Sequence, residues 1–118
     1  MADIATNKDI DVLIRHFYSK LLSDPSISYV FDGLDLESHF PRVVHFWAFV
    51  LLDVDGYTTN VFEKHLHLPI KAEQFQTWLG HFTSSVDDLY QGEKAEMAKQ
   101  RATVLSYTFA TKWEKLKS

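Results

Sequence analysis

Three stretches decide the fold: Val43-Val44-His45-Phe46-Trp47-Ala48-Phe49-Val50-Leu51-Leu52, then Glu63-Lys64-His65-Leu66-His67-Leu68-Pro69, then Phe75-Gln76-Thr77-Trp78-Leu79. In and just ahead of the first, His39, Val43, Phe46, Trp47 and Val50 recur at helical spacing and share one face. The last opens a run over Lys71 to Tyr90 in which Phe75, Trp78, Leu79, Phe82, Val86 and Leu89 do the same. Between them Val61 to Leu66 can form a short helix, which Pro69-Ile70 breaks. A short histidine-bearing segment is thus expected between two aromatic-faced helices.

Working outward, Ile10, Leu13, Ile14, Phe17 and Leu21 follow the i, i+3, i+4, i+7 pattern, with Tyr18 beside Phe17. Thr6 or Asn7 is the expected N-cap, with Asp9 supporting the first turn and Asp24-Pro25 ending the helix. Ser26 to Gly33, carrying Tyr29, Val30 and Phe31, has room for a single helical turn. The second helix is expected to start between Asp35 and Ser38. Placing the N-cap at Ser38 puts His39 and Pro41 in the first turn, where a proline costs no hydrogen bond. Asp53-Val54-Asp55-Gly56 closes it. Gly92 separates the third long helix from a last one, Glu93 to about Lys115, with Ala98, Ala102, Leu105 and Phe109 inward. No segment alternates as a strand for long and nothing repeats. The expectation is an all-α chain, helix packed on helix, forming one domain over residues 1–118.

Composition narrows the chemistry. With 46% hydrophobic residues the chain can build a core without disulfides, and with no cysteine it can form none. Thiolate haem ligation, iron–sulfur clusters and cysteine zinc sites are excluded on the same ground. A net charge of -4 argues against nucleic acid as a partner, which calls for a basic patch. No apolar run resembles a signal peptide or a membrane span, so a cytoplasmic location with no membrane partner is expected. Nine phenylalanines make either a Phe-heavy core or a core that also wraps a large planar ligand. One imidazole offered between two aromatic walls is how proteins ligate the iron of a haem. His65 and His67 both qualify, but at i, i+2 on a helix only one can face a given pocket.

Taken together these residues resemble a group III truncated globin, a bacterial haem protein, over nearly the whole chain. Phe17-Tyr18 sits where that family keeps its distal tyrosine. Val30-Phe31 matches the phenylalanine that stacks on haem, and His39 falls at the position of a distal histidine. Phe46-Trp47 matches the family's Phe-Trp pair. Gly56-Tyr57 before Asn60 is similar to its loop ahead of the proximal segment, Lys64-His65-Leu66 with Leu68-Pro69 to its proximal motif, and Phe75 with Trp78-Leu79 to the start of its next helix. The glycine pairs of groups I and II are missing, as in group III. Pro41, just after His39, departs from the pattern.

The resemblance implies a truncated-globin fold, two helices over two, around haem b (iron protoporphyrin IX). It implies His65 as the metal ligand and Phe31, Val43, Phe46 and Trp47 as haem-contacting walls. Tyr18, His39 and Trp78 would line the distal side and meet diatomic ligands and small anions: oxygen, nitric oxide, carbon monoxide, cyanide. Peroxide reduction or nitric oxide dioxygenation would need a reductase as partner, and the chain is expected to act as a monomer. Arg42 and Lys64 are candidates for the haem propionates.

Blander readings stand beside these. Tyr18 and Trp78 can be core aromatics with their polar atoms at an edge, and His39 a solvent-facing residue at a helix start. His16, His45 and His81 read as ordinary, the helical step turning the first two away from Phe17 and Phe46. The alternative function is a non-haem helical module that binds a protein partner through the same aromatic face. A zinc site from His65 and His67 is weaker, because their i, i+2 spacing suits a strand more than a helix.

Overall fold

The computed structural model describes residues 1–33, 35–52 and 74–117, with side chains as far as residue 108 and at residue 111. Four helices are found among them: α1 (Asn7–Leu22), α2 (Leu36–Leu52), α3 (Gln74–Leu89) and α4 (Glu93–Lys117). A 3-10 turn, Ser28–Phe31, links α1 to α2, and no strand occurs among the described residues. Helix α1 packs along α2 and α3 along α4, and the pairs meet through α1 on α3 and α2 on α4. None of these helices is long and apolar enough to cross a membrane.

Helix α1 forms where its periodicity demands. Thr6 is the N-cap: its hydroxyl accepts from the Asp9 N–H, and the Asp9 carboxylate accepts from the Thr6 N–H, closing a capping box. Ile10, Leu13, Ile14, Phe17, Tyr18 and Leu21 are all buried. Across the interior they meet Phe82 of α3, which is fully buried. Its ring stacks on Trp47 of α2 (4.8 Å, 19°) and on Trp78 one turn earlier in α3 (5.8 Å, 14°). Phe17 of α1 meets it in a T-shaped pair (5.2 Å, 85°). Burying a phenylalanine contributes about 2–3 kcal/mol, and each such ring pair about 0.5–1.5 kcal/mol beyond the area it covers. On α4 the buried residues are small, Ala95, Ala98, Ala102 and Ser106, which lets that helix approach α3 closely; the Ser106 hydroxyl donates to the Phe75 carbonyl.

Helix α2 corrects the expected boundary. It begins at Leu36, within the expected range of Asp35 to Ser38, but its N-cap is not Ser38. Asp35 takes the capping role: its carboxylate accepts from the Ser38 N–H at 3.4 Å, and its carbonyl accepts from the His39 N–H at 3.0 Å. Pro41 therefore lies inside the helix, where residue 41 has no N–H to give the Glu37 carbonyl. Both residues are exposed, so solvent can take that carbonyl and the loss is tolerated. The face is corrected as well. The buried stripe is Phe40, Trp47, Ala48 and Leu51, while His39, Val43, Phe46 and Val50 form a second, half-buried stripe beside it. The helix is apolar on two adjoining faces, and the sequence pattern had merged them.

Two polar devices fix the connections. The Asp3 carboxylate caps α4 from the far end of the sequence, accepting from the Lys94 and Ala95 N–H groups at 2.8 Å each and from its neighbour Ile4. Burial opposes its charge, but these backbone donors outweigh that and hold the carboxyl below its ordinary range. Asp24 organises the turn after α1. One carboxylate oxygen accepts from the Ser26 N–H and hydroxyl, and the other pairs with His81 Nε2 at 2.8 Å. The His81 bond, with help from Ser26, holds the Asp24 carboxyl down at about 2.

Two outcomes follow from these devices. Gly92 precedes α4 at φ +145°, and a Cβ there would lie 2.5 Å from Asp3 Cγ. Gly92→Ala is therefore expected to destabilise the protein by about 2 kcal/mol or more in urea unfolding. Because Asp24 is depressed in the folded chain, its contribution is complete above about pH 4 and is lost as pH falls toward 2. Thermal melts from pH 5 to pH 2 should fall less steeply for Asp24→Asn than for the parent chain.

Candidate functional site

The half-buried stripe of α2 carries His39, which meets Tyr18 of α1. Tyr18 reaches it from α1 because it follows Phe17 by one helical step, at the edge of the core stripe. Its ring is held by four neighbours: Phe17 (5.3 Å), Phe31 (5.5 Å) and His39 (5.5 Å) edge-on, and Phe40 tilted (5.3 Å). Its hydroxyl lies 2.7 Å from His39 Nε2. Burial pushes the Tyr18 hydroxyl well above its ordinary range, so it keeps its proton at any physiological pH.

The Tyr18–His39 bond has two chemical forms. With the imidazole proton on Nδ1, Tyr18 donates to Nε2 and its O–H is used in that bond. With the proton on Nε2, His39 donates to the phenol oxygen and the Tyr18 O–H is free to turn toward a third group. His39 therefore controls whether Tyr18 can act as a donor. The correction to α2 makes this contact. Starting the helix at Leu36 moves His39 to the fourth helical position and seats Phe40, unremarked in the sequence, under Tyr18. Arg15 covers the Phe40 ring at 5.0 Å from the outside.

Trp78 comes from α3. It is half-buried, with its ring edge-on to Phe17 (5.6 Å) and stacked with Phe82. Its indole N–H makes no hydrogen bond to any described residue. Phe31, the last residue of the 3-10 turn, is buried against Tyr18. Val43 and Phe46 sit on the half-buried stripe of α2, and Trp47 lies deeper, buried against Phe82 and 5.3 Å from Phe46.

The structure thus brings Tyr18, His39 and Phe31 into direct contact, with Trp78 joined to them through Phe17. His65, with His67 and Lys64, lies outside the described residues. His16 pairs with Asp88 at 2.9 Å and His81 with Asp24, while Arg42 is exposed. No group of three histidines, aspartates or glutamates able to hold a metal occurs among the described residues. Two contacts escaped the sequence: the Gln74 amide donates to the Ser26 carbonyl (2.9 Å) and to the Tyr29 hydroxyl (2.7 Å). The only sequence signal for them is the helical register of Gln74 with Trp78 and His81.

Known proteins bear on this geometry. Residues 2–111 match the family model described as bacterial-like globin. The chain is 28% identical over 109 residues to a group 3 truncated hemoglobin of Campylobacter jejuni, with 86% of each chain covered. Its fold matches the crystal structure of the group III truncated hemoglobin from the same organism with a TM-score of 0.83, at 28% identity and 94% of each chain covered. The resemblance to group III and the truncated-globin fold expected from the sequence are both borne out. The chain belongs to the bacterial-like globin family, and is a haem-type globin by sequence and by fold.

Proposed function

We propose that this globin binds haem b through His65 and holds diatomic ligands in a polar distal pocket made by Tyr18, His39 and Trp78. The observation that carries the reading is the Tyr18–His39 bond at 2.7 Å, from a buried tyrosine to a half-buried histidine, beside an indole N–H with no partner among the described residues. Donors of this kind have no use in an apolar core, where leaving one unpaired costs about 1–3 kcal/mol. They suit a site that receives a small, partly negative ligand.

The residues fit the cofactor. Phe31, Val43, Phe46 and Trp47 offer aromatic and apolar walls for a flat macrocycle, the middle two on a face that the protein core leaves half-covered. Haem, when bound, would supply an iron able to take oxygen, nitric oxide, carbon monoxide or cyanide. His65 supplies a neutral imidazole nitrogen, and its second N–H needs an acceptor to fix ring and tautomer. Tyr18 donates to the ligand when His39 donates to Tyr18, so one proton shift on the imidazole opens the site. Trp78 approaches from α3 and donates its indole N–H. Two donors on one ligand favour retention over easy release. Storage or redox chemistry of the ligand, with a reductase as electron source, suits such a pocket better than oxygen delivery.

Protein purified with haem available should show an intense Soret band that shifts with carbon monoxide. His65→Gly should abolish the normal spectrum and added imidazole restore it; a native-like spectrum in that variant would show the ligand assignment to be wrong. Tyr18→Phe and Trp78→Phe should each speed oxygen dissociation roughly several-fold, as loss of about 1 kcal/mol of hydrogen bonding implies. Stopped-flow off-rates unchanged in both would remove the distal role and leave the haem site standing.

A further inference from the structure

Helix α3 does more than carry Trp78. Gln74, Trp78 and His81 stand at i, i+4 and i+7, on one face of the helix. The two polar members reach past Trp78 to the same segment, the turn from Asp24 to Phe31. His81 Nε2 pairs with Asp24 Oδ2 at its start. Gln74 Nε2 donates to the Ser26 carbonyl and the Tyr29 hydroxyl nearer its end. Within the turn, the Ile27 and Ser28 N–H groups donate to the Asp24 carbonyl, Val30 N–H to Ile27, and Asp32 N–H to Tyr29. The segment is thus a small body organised about Asp24, gripped at two points by α3, and it ends in Phe31, whose ring abuts Tyr18.

We infer that Gln74 and His81 are positioning residues for the distal pocket. They hold the Asp24–Phe31 turn in register with Trp78, so that Phe31 confines the Tyr18 ring and aims its hydroxyl. This deepens the proposed function and rests on it. The mechanical argument is one of connection. Tyr18 is restrained by Phe31 on one side and by His39 and Phe40 of α2 on others. Helix α2 meets Tyr18 directly, whereas Phe31 belongs to a four-residue turn with little helix of its own. Its position depends on what holds the turn, and α3 supplies two side-chain grips on it. The same rigid helix supplies the second donor, Trp78. The distance between the two distal donors is therefore set through one element.

Tyr29→Phe is the mildest probe. Tyr29 is half-exposed and loses only the oxygen that accepts from Gln74. Gln74→Leu removes both Gln74 grips on the turn. In the haem-loaded protein, both variants should raise amide hydrogen exchange over residues 24–32 about three- to tenfold while α1 amides stay unchanged. Both should also speed oxygen dissociation, by less than Tyr18→Phe does, and shift the stretching frequency of bound carbon monoxide. The double variant Gln74→Leu/Tyr29→Phe should be no faster than Gln74→Leu alone, since the two share one bond. His81→Ala should repeat the exchange effect, and His81→Gln, which keeps a donor for Asp24, should restore it. If exchange, carbon monoxide frequency and off-rate all stay at parent values in Tyr29→Phe and Gln74→Leu while Tyr18→Phe responds, the clamp is overturned and the distal assignment survives. If Tyr18→Phe and Trp78→Phe leave the off-rate unchanged, the distal assignment fails and takes this inference with it, whatever the exchange pattern.

Discussion

Phe82 is the contact on which the rest of the structure depends. It is the point where α1, α2 and α3 touch through one side chain, with Trp47 and Trp78 stacked on its ring and Phe17 in T-shaped contact with it. Rings packed at such angles leave little freedom for sliding, because each neighbour fixes a plane as well as a distance. Trp78 is therefore placed by the core even though it is half-buried. Its indole is held to the accuracy of interior packing.

The two apolar stripes of α2 express the same economy. Phe40, Trp47, Ala48 and Leu51 are buried; Val43, Phe46 and Val50, with His39, are half-buried beside them. A helix in this position must be apolar around more than half its circumference, so it carries neither a clean amphipathic signature nor a solvent-facing majority. The boundary between its faces is where Tyr18 from α1 meets His39 and Phe40, neighbours in sequence that hold the phenol by a hydrogen bond and by ring contact.

Much of this was legible in the sequence, and for physical reasons. The buried face of α1 was readable residue by residue because one stripe meets one core. Phe75, Phe82 and Val86 on α3, and Ala98 and Ala102 on α4, followed from the same periodicity. The N-cap of α2 was placed too late, at Ser38, because Pro41 was assigned to a first turn, and the chain instead accepts the proline inside the helix. Ala95 and Ser106 were missed because small and polar residues carry no hydrophobic signal. On the site, the sequence marked Tyr18, His39, Phe31 and Trp78 separately. It had no means of showing that the first three touch, since their meeting depends on the register of α1 against α2. The grips of Gln74 and His81 span 48 and 57 residues, and no local pattern encodes such pairs.

The Asp3 cap joins parts of the chain that lie some ninety residues apart. Helices ordinarily carry their own capping side chain, and here a glycine stands in that place, so the last helix borrows its cap from the opening residues. Loss of the Asp3 carboxylate would strip the N-terminus of α4 of its anion, and that helix would fray from its start. The segment ahead of α1 thus serves as a latch on a helix in the other half of the chain.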